Sequence, residues 1–269
     1  SPHMKLHSKK VLLTGASGGI GRAVAISLAR QGARLLLAGR DMAALEKQKV
    51  AMAGADVSIE LVELDLASIE LSEQVDQLIL KHPDVDVLIN CAGVNLFKAC
   101  DAVSAEQLSH ILDVNLKAVL VLTSALLPLL KRRPQAAVVN VGSTFGSIGY
   151  PGFAAYCASK FGVRGYTEAL RRELAGSNVQ VFYLAPRATK TTMNERAVLE
   201  MNQELGNAMD DPAWVADQLV KAIERDHFKL FLGWPEKLFV VINSVFSVLV
   251  DRALIKQLPT IQTYLKREI

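Results

Sequence analysis

Apolar residues recur along this chain in two alternating rhythms. Short runs rich in Val, Ile and Leu, such as Lys10-Val11-Leu12-Leu13-Thr14, read as buried strands near residues 10–14, 34–39, 57–64, 85–90, 136–142, 178–184 and 229–232. Between them, apolar positions three and four residues apart predict amphipathic helices near 19–31, 41–52, 67–81, 105–132, 153–175 and 212–225. Strand and helix alternating in this way predict an α/β fold, a doubly wound parallel sheet of about seven strands with helices on both faces. Such a sheet takes its ligand beyond the carboxyl ends of its strands, and Gly15, Arg40, Asp65, Asn90, Ser143 and Pro186 all fall there on this reading.

The 269 residues suffice for one such domain with a substantial core, and no Pro/Gly/Ser-rich tract or repeat divides them. A net charge of +3, with basic residues scattered over the helices, leaves no nucleic-acid footprint. Cys91, Cys100 and Cys157 lack metal-ligand spacing, so no metal site is expected. Their odd number without a signal peptide points to a reducing, cytoplasmic setting. Ser1-Pro2-His3 ahead of Met4 reads as a cloning remnant, which leaves residues 5–233 as the sheet domain and 234–269 as a C-terminal extension.

Two local patterns carry chemistry. In Tyr156-Cys157-Ala158-Ser159-Lys160, helical geometry stacks phenol and ammonium on one face, about 6 Å apart along the axis. An ammonium about 4 Å from a phenol is worth roughly 4 kcal/mol at an effective dielectric of 20, enough to bring the phenol toward working range at neutral pH. A packed tyrosine beside a solvated lysine is the plainer explanation of that pair taken alone. The second pattern is Gly15-Ala16-Ser17-Gly18-Gly19-Ile20-Gly21, between the first strand and the first helix, where backbone N–H groups and a helix N-terminus can receive a pyrophosphate.

Together these resemble the short-chain dehydrogenase/reductase superfamily, over about residues 9 to 233. Thr14-Gly15 to Gly21 is similar to its cofactor motif, Asn90-Cys91-Ala92-Gly93 to its Asn-Asn-Ala-Gly element, and Asn115, Ser143, Tyr156 and Lys160 to its four catalytic positions in order and spacing. The resemblance implies a Rossmann-type fold, hydride transfer between a nicotinamide cofactor and a carbonyl, and these roles: Tyr156 as proton donor, Ser143 bound to the substrate oxygen, Lys160 on the cofactor ribose while lowering the Tyr156 pKa, and Asn115 bending its helix and holding a water. It also implies that Asp65-Leu66 and Ala92-Gly93 border the cofactor, with Pro186, Thr189 and Thr191 beyond the sixth strand. At the second strand's tip, Gly39 leaves room and Arg40 offers a guanidinium for a 2′-phosphate, which favours NADP(H); a solvated Arg40 beside a capping Asp41 is the alternative. The family's usual Pro-Gly is replaced by Pro186-Arg187, and solvated cations are expected at Arg187 and Lys190. The helices near 105–132 and 153–175 resemble the pair that joins subunits in this superfamily, so a homodimer or tetramer is expected, with Ala154, Gly162 and Gly165 permitting close approach.

After residue 233 the chain continues with Trp234-Pro235-Glu236, a helix start, and then Leu238 to Val250, which contains no charge. As one helix this run rises only about 20 Å, too short to span a bilayer, with Asn243, Ser244 and Ser247 on one narrow face. Its apolar side is expected to be covered by the substrate pocket, a partner subunit or a membrane surface over residues 235–256. Arg252, Lys256, Lys266 and Arg267 suit anionic lipid, as in the similar terminal helices of membrane-associated hydroxysteroid and lipid-carbonyl reductases. The resulting expectation is an NADPH-dependent reductase of a fairly large apolar carbonyl. A 3-oxoacyl-thioester reductase, with Arg187 and Lys190 meeting a phosphopantetheine phosphate, and a non-catalytic NADP(H)-sensing protein are the rivals.

Overall fold

The computed structural model describes residues 3–189 and 196–268, the side chain of Glu268 excepted. Its centre is a seven-stranded, wholly parallel sheet: β1 (Lys10–Thr14), β2 (Arg34–Gly39), β3 (Ile59–Glu63), β4 (Val87–Asn90), β5 (Ala136–Val141), β6 (Val179–Ala185) and β7 (Lys229–Phe231), in spatial order β3-β2-β1-β4-β5-β6-β7. Every residue of β1, β4 and β5 is buried, which explains their unbroken apolar runs: both faces of these strands are covered by helices. Val11 and Leu13 pack on one face with Val24 and Leu28 of α1 (Gly19–Arg30). Leu12, turned the other way by strand alternation, meets the layer that holds Val75 of the helix Leu71–Lys81 and Leu122 of the helix Ala118–Lys131.

The remaining helices in chain order are α2 (Met42–Ala51), α3 (Leu71–Lys81), α4 (Ala105–Leu112), α5 (Ala118–Lys131), α6 (Ala154–Glu173), α7 (Arg196–Glu204), α8 (Pro212–Glu224), α9 (Glu236–Val245) and α10 (Ser247–Leu265). Most bounds match the sequence expectation within two residues. Four differences matter. The expected helix over 105–132 is interrupted by a π-helical turn at Asp113–Lys117, because Asn115 turns its carboxamide out of the helix onto the backbone of Val94. α7 was not anticipated. Met4, set aside as a terminal remnant, is fully buried beside Leu6 in the α1-side core, and its backbone N–H donates to Asp226.

The fourth difference lies in the extension. The uncharged run is two helices, broken at Phe246, whose φ of −128° and ψ of 60° end α9. Val240 and Val250 pack with Ile148, and Ile261 and Tyr264 of α10 pack on Val198 and Met201 of α7. Leu238, Phe239, Val241, Val245, Phe246, Val248 and Leu249 remain 39–68% exposed, so the chain itself covers only part of the apolar surface.

Candidate active site

The sheet's strand order reverses between β1 and β4, so the loops leaving these strands part and open a cleft at their carboxyl ends. Gly15 makes the turn after β1 with φ +64°, and a Cβ there would lie 2.6 Å from Ala92 Cα, so both backbone angle and space demand glycine. Thr14 locks the two loops together: its hydroxyl oxygen accepts from Cys91 N and Ala92 N, each at 3.1 Å. α1 then begins with no side-chain cap and no acid in its first turn, leaving its N-terminal N–H groups to an anion. This cradle fits a pyrophosphate by its own geometry.

The same cleft is bordered by Ser17, Gly18, Gly19, Ile20, Gly21, Gly39, Arg40, Asp65, Leu66, Ala92, Gly93, Pro186 and Thr189, as the sequence reading expected. Thr191 and Lys190 lie outside the described residues. Asn90 stands behind the wall instead: it is buried, and its Nδ2 donates to Asn140 Oδ1 at 2.9 Å, a strand-to-strand tie rather than a ligand contact. Asp41 caps α2 by accepting from Ala44 N, while Arg40 is exposed and forms no ion pair among the described residues.

At the other end, β5 runs into Ser143 and α6 carries Tyr156 and Lys160. Ser143 Oγ accepts from Phe145 N at 3.1 Å, and its hydroxyl bonds the Tyr156 phenol. Lys160 is buried, with its ammonium 5.8 Å from the Tyr156 ring centroid and 3.5 Å from where a Cβ on Gly93 would stand. Asn115 is fixed behind Gly93: its Oδ1 accepts from Val94 N, and its Nδ2 donates to Val94 O and Ser159 Oγ at 2.9 and 3.2 Å. The expected bend is therefore present.

The electrostatics differ from the sequence expectation. Burial pushes the Tyr156 phenol up to about 12, with the Ser143 hydrogen bond pulling back only part of that rise. Burial also lowers Lys160 to about 8. Desolvation sets the direction of both shifts, and among the described residues the only group that pulls the phenol back down is Ser143. Tyr156 is thus held protonated at neutral pH, as a proton donor to a carbonyl oxygen must be. Cys91, at the cleft's edge, is pushed up to about 12 by burial and is no nucleophile.

Arg187 is the largest departure from expectation. It is a half-buried clamp: Nε and Nη2 donate to the two oxygens of Asp210 at 2.9 Å each, and Nη1 donates to Trp234 O at 2.9 Å and Glu236 at 3.1 Å. Gly233, at φ +95°, leaves room for it, since a Cβ there would overlap the Arg187 side chain. The residue after β6 therefore fastens the start of α9 to the cleft rim.

Sequence reasoning placed the C-terminal extension at the substrate entrance but did not anticipate the aromatic residues or α7 in the substrate half of the cleft. Phe145, Tyr150 and Phe153 surround Tyr156, with ring centroids 6.2 Å from Phe145 and 6.3 Å from Phe153. Val198 and Met201 of α7 and Phe239, Leu254 and Gln257 of α9 and α10 close the far side. The density of aromatics between residues 145 and 156 was the available signal.

A family model described as short chain dehydrogenase matches residues 9–202. The chain belongs to that family. This short-chain dehydrogenase is 33% identical to the 3-oxoacyl-[acyl-carrier-protein] reductase FabG of Thermotoga maritima, over 72% of this chain and 79% of that one. It is 31% identical to the glycine betaine reductase ATRR of Emericella nidulans over 83% of this chain, but spans only 18% of that protein. Its fold superposes on a short-chain dehydrogenase/reductase from Burkholderia phymatum in complex with NAD, at TM-score 0.80 and 24% identity, covering 91% of this chain and 96% of that one. A short-chain dehydrogenase from Burkholderia cenocepacia in complex with NADP gives TM-score 0.79 and 23% identity, covering 93% and 99%. The chain is an oxidoreductase of this family, an enzyme whose cleft suits a nicotinamide cofactor.

Proposed function

We propose that this enzyme reduces a carbonyl on a fairly large apolar substrate with NADPH, or oxidises the corresponding secondary alcohol. One observation carries the reading: a single cleft of about 820 Å³ runs from the glycine turn and Arg40 to Ser143, Tyr156 and Lys160, and on into an aromatic and aliphatic chamber. Arg40 supports NADPH over NADH, since the neighbouring acid is occupied with capping and the guanidinium is free for a 2′-phosphate. The bound nicotinamide supplies or takes up hydride. Tyr156 donates the proton, Ser143 hydrogen-bonds the carbonyl oxygen as negative charge develops there, and Lys160 stands beside Gly93 to hold the cofactor and offset the negative charge left on the Tyr156 oxygen.

NADPH oxidation measured against steroid, quinone, aldehyde and acyl-thioester carbonyls tests this reading, and turnover is expected with the bulky apolar ketones. A second reading, 3-oxoacyl-thioester reduction, is favoured by the likeness to the Thermotoga reductase. It loses one support, because Arg187 is committed to Asp210 and Glu236 rather than free for a phosphate. Turnover confined to acyl thioesters would decide for it.

For assembly, the reading is a homodimer, and a tetramer by further pairing, through α6. Ala154, Ala158, Phe161, Gly165 and Ala169 form an exposed stripe beside Leu108 and Leu112 of α4, whereas Gly162 faces inward onto Leu116 of its own chain. A monomer by light scattering at micromolar concentration refutes it. The enzyme is read as cytoplasmic, with the exposed corner around Phe246, flanked by Lys237, Arg252 and Lys256, resting on a membrane surface; Arg267 is excluded because it pairs with Glu200. Failure to sediment with anionic vesicles removes that contact.

A further inference from the structure

Beyond the catalytic phenol the cleft wall includes Ile148, Phe153, Val198, Met201 and Leu254, and among these apolar residues Tyr150, Asn202, Asn207 and Gln257 form a linked polar group. The Phe145 ring stacks 5.0 Å from Tyr150 and meets Tyr156 edge-on at 6.2 Å, so Tyr150 stands one aromatic layer from the proton donor. Its hydroxyl donates to Gln257 Oε1 of α10 at 3.4 Å and also bonds Asn207, whose Nδ2 donates to Asn202 Oδ1 of α7 at 3.2 Å. All four residues border the same cleft, although they come from three distant parts of the sequence.

This network is incomplete. Asn202 is 8% exposed, yet its carboxamide nitrogen has no hydrogen-bond partner among the described residues, and neither has Gln257 Nε2. Both retain N–H groups that a ligand acceptor can satisfy. The end is also neutral. Burial pushes the Tyr150 phenol up, so it carries no charge, and the charged wall residues Arg187 and Glu236 are paired with each other. A carboxylate or phosphate brought here would be stripped of water with no cation among the described residues of the Tyr150 network to receive it, and a bare hydrocarbon would leave the two carboxamides unmatched.

We infer that Tyr150, Asn202 and Gln257 form a subsite for a neutral hydrogen-bonding group, a hydroxyl, ketone or amide, on the part of the substrate remote from the reacting carbonyl. The substrate class is then a bifunctional apolar ketone or aldehyde, polar at both ends and uncharged at the far one. This rests on the carbonyl-reductase reading above.

The test uses the full chain with NADPH and ketones on one rigid polycyclic skeleton that differ only at the far end, bearing hydroxyl, hydrogen or carboxylate. The hydroxylated ketone is expected to exceed the plain one in kcat/KM by roughly tenfold, about one hydrogen bond's worth, with the carboxylate poorest. Gln257→Leu and Tyr150→Phe, each at a half-buried position, should bring the hydroxyl-to-hydrogen ratio toward one through KM, and Asn202→Leu should do the same if it folds. Equal kcat/KM across the wild-type series, or a ratio unchanged in both Gln257→Leu and Tyr150→Phe, overturns the subsite while leaving the reductase standing. Absence of turnover with every carbonyl overturns the reductase reading and the subsite with it.

Discussion

Replacing Arg187, which stands where the family usually carries glycine, with Ala should destabilise this enzyme markedly. The Arg187 and Asp210 side chains are only 14% and 9% exposed, and the Asp210 carboxylate meets no other cation among the described residues. Removing the guanidinium strands a buried charge, for which about 3–5 kcal/mol is typical. For a chain of this size each kcal/mol lowers Tm by roughly 2–4 °C, so a fall of roughly 6–20 °C is expected by calorimetry or circular dichroism. Glu236, at 21% exposed, is better solvated, and Glu236→Gln should cost less. The double variant Arg187→Ala/Asp210→Ala should recover part of the loss, because the stranded charge is gone. Arg187→Lys keeps the charge but cannot span both carboxylate oxygens, and should fall between. Since Arg187 also binds Trp234 O at the start of the extension, KM for bulky ketones should rise in Arg187→Ala while NADPH affinity holds. A Tm within about 2 °C of wild type, with no coupling in the double variant, would refute the clamp and return Arg187 to solvent.

Three further outcomes are expected. Tyr156→Phe keeps the ring and removes the proton donor, so turnover should fall roughly 10²–10⁴-fold with NADPH binding nearly intact, whereas Lys160→Ala should damage both; wild-type turnover in Tyr156→Phe would sink the mechanism. Arg40→Ala should lower kcat/KM for NADPH by roughly ten- to hundredfold and leave NADH unchanged, as fits one charge-assisted phosphate contact; an unaltered cofactor ratio would place Arg40 outside the site. Carbonyl reduction should be flat through neutral pH, where Tyr156, raised to about 12, stays protonated, and should decline above about pH 8 as Lys160, lowered to about 8, loses its charge. A pH–rate profile that instead falls on the acid side of neutrality contradicts that assignment.

Local pattern determined a great deal of this molecule. Strand positions, the glycine turn and the Ser143, Tyr156 and Lys160 set are written in short-range signals, because apolar period, turn chemistry and four-residue helical spacing are properties of contiguous sequence. The placement of Gly15 is an example: the sequence marks a tight turn, and the φ of +64° and the close approach of Ala92 supply its reason. What the tertiary structure decided depends on residues far apart in the chain. Whether Arg187 is solvated rests on Asp210 and Glu236, 23 and 49 residues away, and nothing near Pro186 announces them. The π-helical turn at Asn115 exists because Val94 presents backbone groups to it. The direction of the Tyr156 shift is likewise set by burial, a sum over the aromatic residues and α7 and α10 packed around it, which the Tyr-Lys spacing does not contain. Chemistry was legible where it is local, and the chamber that selects the substrate was not, because its walls meet only in the folded chain.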